Sequence, residues 1–441
     1  MEREARRHDV AMTWAALLLV AIAAMFGGAS RENPLRLALV ELGALPLLVL
    51  GLRRHLGPGS PSGLAIPLAI LGCAVAIPVI QLIPLPPTLW TALPGQAPRL
   101  EALRLAGLAP GWRPISLAPD DTWGALLALT PPVAMFLGAT CLDRAARERL
   151  TFVWISAAAI GLALGLAQLA SPGGGLAYPY AITNTGSLVG WFANRNHEAG
   201  ALLASLPFAA VLARSAARKG PVWGAWAMGV FGLVAVAALG VIRSRAGVIL
   251  AGPVLVGCAI LAWRGRGLAS RRGALAAALA VLVVGFVAWF GASPVLDRFT
   301  APTGAEFRLE AWPIVAKAAG DTLPFGAGLG AFDLVFRAVE PLRLVAANYF
   351  NHAHNDYLEL WLETGWLGAA ALLAFAVWFA TVAARAWTRG GGLIRAASLA
   401  VLVLMAQSLV DYPLRTEALA VWFAFCCGVL ATPDEIRSAP S

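Results

Sequence analysis

Three histidines and four arginines supply most of the side chains in this chain that could do chemistry. His197 ends the run Trp191-Phe192-Ala193-Asn194-Arg195-Asn196-His197, where two amides, a guanidinium and an imidazole lead into an apolar stretch. The start of a helix favours anions through its free N–H groups and its dipole. His352 and His354 stand in His352-Ala353-His354-Asn355-Asp356-Tyr357-Leu358-Glu359, and Gly365 and Gly368 follow. Imidazole titrates near neutrality and is the usual choice for moving a proton. Arg243-Ser244-Arg245-Ala246-Gly247 sits between two apolar runs with almost no loop. A guanidinium can chelate phosphate oxygens in bidentate fashion. Arg308, in Ala305-Glu306-Phe307-Arg308-Leu309-Glu310, is the fourth cation. The glycine string Gly326-Ala327-Gly328-Leu329-Gly330 lacks the strand–helix context of a dinucleotide site.

Each feature has a plainer explanation. A histidine can sit idle at an interface, an arginine can snorkel to the membrane surface, and Arg308 can pair with a nearby glutamate. What favours chemistry is that they gather. His8 and His55 fall on the opposite side of the membrane in the topology below, while His197, His352 and His354 share the outer side with all four arginines. Two histidines near acids could also bind zinc, but an HxH pair in a loop is weak evidence, and no metal is expected.

The elements that must position these groups are membrane helices. Hydrophobic residues make up 59% of the 441 and charged residues only 13%, and the mean hydropathy is +0.74. That charged fraction is about half of what a soluble domain uses to cover its surface. Apolar runs occur at 10–28, 34–51, 63–84, 122–141, 151–170, 198–213, 222–242, 246–263, 274–292, 365–384, 396–410 and 417–432. Most approach the ~20 residues that cross a bilayer, and such segments must be helices to satisfy their own backbones. The expected fold is therefore all-α and polytopic, with about twelve transmembrane helices.

The net charge of +9 is a topology signal, and no nucleic-acid partner is expected. If 1–9, 52–62, 142–150, 214–221, 264–273, 385–395 and 433–441 are cytoplasmic, Lys and Arg are about three times as dense there as in the opposite connections. Both termini are expected in the cytoplasm. Arg3, Arg6 and Arg7 precede a long apolar run with no clear cleavage site, so a retained first helix is expected. All five cysteines fall in apolar runs, which offers no disulfide framework. Residues 1–292 are read as the first nine spans, with outer loops at 85–121 and 171–197. Residues 293–364 are a long outer loop with short helices and the histidine motif, and 365–441 hold the last three spans and a short cytoplasmic tail.

His354-Asn355, nine residues, Gly365, two residues and Gly368 resemble the signature of the bacterial O-antigen ligase and polymerase superfamily. Asn194-Arg195-Asn196-His197, Ser244-Arg245-Ala246-Gly247 and Asp411-Tyr412-Pro413-Leu414 are similar to its pattern too, as are the twelve runs and the long outer loop. The resemblance covers roughly 60–432. It implies a metal-independent glycosyltransferase of the bacterial inner membrane without a cofactor or nucleotide sugar. Its donor is a glycan on undecaprenyl diphosphate, used at the periplasmic face. A ligase passes the glycan to lipid A–core, and a polymerase passes it to another lipid-linked repeat. On that reading His354 is the general base, with Asp356 or Glu359 to orient it. Arg195, Arg243, Arg245 and Arg308 stabilise the departing diphosphate. Asn194, Asn196, His197, His352 and Asn355 are candidate substrate-binding residues. The signature does not separate ligase from polymerase, and the ligase label is preferred.

The rival from another class is a transporter of lipid-linked oligosaccharides. Transporters carry polar groups near mid-membrane, often in repeated halves. Here the centres of the runs are almost free of charge, with Glu41 the main exception, and the polar groups crowd one face.

Overall fold

The computed structural model describes residues 2–432 apart from 31–32, 58–59, 172, 174, 176, 220–221, 264–303 and 346–349. Three helices open the chain: α1 (Glu2–Phe26), α2 (Pro34–Leu56) and α3 (Ala65–Leu82). Short α4 (Pro87–Trp90) and α5 (Ala97–Leu105) follow. The next apolar stretch is split into α6 (Pro119–Ala128) and α7 (Thr130–Cys141), where Pro131 lies in the first turn of α7 and can give no hydrogen bond to the turn before it. Then come α8 (Arg144–Ala170), α9 (Arg195–Lys219), α10 (Val222–Ile242) and α11 (Arg245–Trp263). After residues 264–303 the chain forms α12 (Gly304–Asp321) and α13 (Phe332–Val339). It closes with α14 (Asp356–Arg389), α15 (Gly392–Gln407) and α16 (Glu417–Leu430).

Among the described residues, nine helical segments are long and apolar enough to cross a membrane, and α15 and α16 are shorter apolar helices. There is no strand among them, only a single antiparallel bridge between Leu85 and Arg113. The chain is a polytopic α-helical membrane protein. The expected span at 274–292 and the first residues of the long outer loop lie outside the described residues. Large apolar side chains such as Trp223, Trp226, Ile249 and Leu373 stand fully outward. In water such a surface would drive aggregation, and in a bilayer it is the lipid-facing wall.

Interhelical bonds sort the connections into two ends. At one end, His55 Nε2 lies 3.1 Å from Thr140 Oγ1, and buried Arg147 donates to Ala139 O and Thr432 Oγ1. At the other, the Gly27–Gly28 turn binds the rest: Ala193 N donates to Gly28 O and Ala418 N to Gly27 O. Tyr180 Oη bridges Phe26 O and Gly28 N. All the histidine and arginine motifs lie at this second end.

Among the described residues, two cores hold the helices together. The larger fills the helix bundle, with the stacked pair Trp154 and Trp422 among its members. The smaller lies beyond the bundle and contains Ala118, Val315, Phe332, Phe336, Leu344 and Leu362. It makes the long connections at this second end into a cap. Gln81, at the top of α3, ties that cap down: its Nε2 donates to Phe325 O and Glu363 O, and its Oε1 accepts from Leu329 N.

Candidate active site

Asn355 opens α14. Its side-chain oxygen accepts from Tyr357 N and Leu358 N, which satisfies two donors of the first turn. The helix therefore starts after His354, and His354 occupies the turn ahead of the cap with a left-handed backbone (φ 52°). Leu358, Trp361, Leu362 and Gly365 recur at helical spacing back to His354, but the asparagine cap excludes His354 from the helix itself. Nor does α14 run unbroken into the bilayer, since Gly365 is non-helical (φ 59°, ψ −144°).

The turn aims His354 at the connection between α15 and α16. Its Nδ1 lies 3.3 Å from Asp411 Oδ1. Asp411 is buried and crowded with donors. Asn196 Nδ2 donates to its Oδ2 at 2.6 Å, and Tyr412 N donates to Oδ1 at 3.0 Å. Burial alone would raise this carboxyl, but His354, His197 and Arg308 outweigh it and hold it well below the usual range. An ionised carboxylate only accepts, so the His354 proton sits on Nδ1 and Nε2 keeps its lone pair. Burial lowers the His354 imidazole, and Arg308 and His352 add to that against the pull of Asp411.

The expected orienters, Asp356 and Glu359, do other work. Glu359, fully buried, takes His352 Nδ1 at 2.7 Å and Ala353 N at 2.7 Å. Asp356 accepts from Ser408 Oγ at 2.8 Å. Arg415 gathers the acids of α14: Nε lies 3.4 Å from Asp356 Oδ1, and Nη1 lies 3.5 Å from Glu359 Oε1 and 2.9 Å from Glu363 Oε2. These carboxylates recur every three or four residues, so one guanidinium reaches a single face of the helix. The partner of His354 is thus Asp411, and Asp356 and Glu359 belong to a second network beside it.

Tyr412 joins the two networks. Its ring centroid lies 4.3 Å from that of His352, 4.8 Å from His354 and 4.9 Å from His197. Burial, with Asp411 beside it, pushes its phenol up to about 12, so it stays neutral. His197 is almost fully buried. Among the described residues neither of its ring nitrogens has a hydrogen-bond partner, although Nε2 lies 3.9 Å from Asp411 Oδ1. Asn194 accepts at its carbonyl from His197 N and Glu198 N, which starts α9.

The arginines enter from three elements. Trp312 Nε1 donates to Ala353 O, which pins α12 against the histidine turn. Arg308 is one helical turn earlier and shares that face, and its charge acts on His354, His197 and Asp411. Glu310 pairs with Arg343 at 3.5 Å. Arg195 opens α9, beside Asn196. Arg245 opens α11, where Ser244 Oγ accepts from Gly247 N. Gly247 packs so close to Ala199 that an added Cβ would come within 3.0 Å of the alanine Cβ, so these two helix starts lie side by side. Arg243, in the turn before, is exposed and left-handed (φ 56°).

Residues 230–373 match the family model of the O-antigen ligases. This segment is similar to the O-antigen ligases and supports the resemblance to the O-antigen ligase and polymerase superfamily. A search of the curated proteins finds no match to the chain. The matched O-antigen ligase segment contains Arg243, Arg245, Arg308, His352, His354 and the glycines Gly365 and Gly368. Asn196, His197, Asp411 and Arg415 come from outside it and complete the site. Asp411 and Arg415 had no assigned role from sequence. The available signal was an acid and a base in a connection of only a few residues between two apolar helices at the end that holds the histidines. The superfamily's members are membrane glycosyltransferase-like enzymes, ligases or polymerases.

Proposed function

We propose that the chain transfers a glycan from undecaprenyl diphosphate to an acceptor hydroxyl on the outer face of the bacterial inner membrane, with lipid A–core as acceptor. The observation that carries this reading is the His354–Asp411 pair, a histidine with an oriented Nδ1 and an available Nε2, with the charge of Arg308 acting on both. The acceptor oxygen attacks the anomeric carbon as the bond from that carbon to the diphosphate oxygen breaks. The bonding electrons leave with the diphosphate, and the hydroxyl proton passes to His354 Nε2. Negative charge grows on the leaving group, and Arg308, Arg195, Arg245 and Arg243 are the cations assigned to meet it, Arg195 and Arg245 from helix starts. Asn194, Asn196, His197 and Asn355 remain the residues assigned to sugar or phosphate oxygens, although Asn196 already donates to Asp411 and Asn355 caps α14.

The test is reconstitution of the full chain in liposomes with a lipid-linked glycan, with and without lipid A–core. Transfer to the core supports the ligase reading. Lengthening of the lipid-linked glycan means a polymerase, and transbilayer movement alone means a transporter. In the same assay His354→Ala is expected to lower the rate by about 10²–10⁴ while donor binding persists. A wild-type rate in that variant removes His354 from the mechanism and makes His197 the next candidate.

A further inference from the structure

The two histidines of His352-Ala353-His354 are bound in different ways. His354 meets a carboxylate that already serves two other donors, at 3.3 Å, longer than a well-formed N–H···O bond. His352 meets Glu359 at 2.7 Å, the length of a charge-assisted bond. Glu359 has no exposure and cannot turn to water. Its second oxygen is fixed by Ala353 N, and Arg415 stands against the first. Three carboxylates, Asp356, Glu359 and Glu363, face one guanidinium. That balance leaves negative charge to be met, and His352 is in contact with it. The Tyr412 ring 4.3 Å away offers a π face that also favours a cation.

We propose that Glu359, locked by Arg415, holds His352 as a fixed cation for the diphosphate, so that His352 carries charge while His354 moves the proton. This rests on the proposed transfer reaction and deepens it by separating the roles of the paired histidines. Glu359 and Arg415 are positioning residues, and His352 is the group that meets the ligand. The charged and titratable groups facing His352 are Glu359, Asp356 and Glu363 of α14, Arg415 and Tyr412 of the connection before α16, His354 of its own turn and His197 of α9. Burial alone would lower the His352 imidazole, and Glu359 more than reverses it, whereas the imidazole two residues on is lowered. The charge on His352 is therefore present below its raised pKa and is lost as pH rises through it.

The test uses the full-length protein in lipid nanodiscs and measures the affinity for undecaprenyl diphosphate itself, without a glycan, from pH 7 to 9.5. The terminal phosphate of the probe is already ionised over that range, with a second pKa of about 6. Wild-type affinity is expected to fall by about tenfold as pH rises, the worth of one charge-assisted contact. His352→Gln is expected to bind about tenfold more weakly at pH 7, with a flat profile. Glu359→Gln is expected to move the fall to lower pH. His352→Arg keeps a permanent charge and is expected to retain tight binding at pH 9.5, which keeps the test decisive if another variant misfolds. A flat wild-type profile, or wild-type binding by His352→Gln, overturns the proposal. Transfer by wild type with an unaltered donor KM in His352→Gln overturns it while leaving the transfer reading standing. The expected binding profiles without any glycan transfer leave this proposal intact and remove that reading.

Discussion

On the proposed reaction, carboxylates on separate elements decide which histidine takes the proton. Asp411 fixes the tautomer of His354 without pairing tightly enough to keep it charged, and burial lowers the imidazole. The neutral, proton-accepting form therefore persists above a pKa below the ordinary 6.5, and the acid limb of kcat/KM should lie below that pH. In Asp411→Asn the pull that raises His354 is gone, so the limb should move to still lower pH. The rate should also fall by about 10²-fold or more, because the imidazole loses its orienting acceptor. A rate loss with an unmoved acid limb would make Asp411 a packing residue. Residue types and spacing draw attention to His197, His352, His354 and the arginines, and the structure brings the three histidines around Tyr412. The pairings were not legible, because a carboxylate two residues from His354 and one 57 positions away look equally available in a linear chain.

At the scale of elements, the two signature glycines turn out to be architectural. Gly365 breaks α14 with a positive φ, and a Cβ there would run into the Pro324 carbonyl and Gly326 N. Gly326 lies against the backbone of Glu363 and Thr364 from the other side. This paired close approach docks the cap onto the start of α14, so the acids of α14 reach Arg415. Gly368 leaves room for the Thr364 side chain one turn earlier. In Gly365→Ala the backbone, in a region open almost only to glycine, alone costs roughly 1–3 kcal/mol, and the clash adds to it. The melting temperature in detergent is expected to drop by several degrees, with a loss of activity, and an unchanged melting curve would mean that the contact yields freely. The apolar period made α14 legible from sequence. Its true start was written in Asn355, a strong cap residue, but the periodicity around it reads helical from His354 onwards.

Over the whole molecule, the apolar runs were the most legible feature, because a bilayer imposes one length and one composition on everything that crosses it. The cap was not legible, since its small core of Ala118, Val315, Phe332, Phe336 and Leu362 draws single residues from distant loops. The structure puts His55, Thr140 and Thr432 at one end and the histidine cluster at the other. The charge asymmetry expects the first of these ends to face the cytoplasm. In a background cleared of its five cysteines, an impermeant maleimide on intact cells should label Leu108→Cys and Leu342→Cys but spare Leu56→Cys, all three at exposed positions. The reverse pattern would put the site on the cytoplasmic face and end the case for a lipid-linked donor presented outside.

The bond between Asn196 and Asp411 joins residues 215 positions apart, and Asp411 follows His354 by 57. At a ribosomal pace of roughly 5–20 residues per second, the imidazole is made several seconds before its carboxylate. Until α16 threads into the bilayer and draws the 408–416 turn into place, a nascent chain carries both histidines of the pair and no oriented base. On the proposed transfer reaction, competence is thereby tied to completed insertion, and a half-inserted chain has no oriented base to offer an activated lipid.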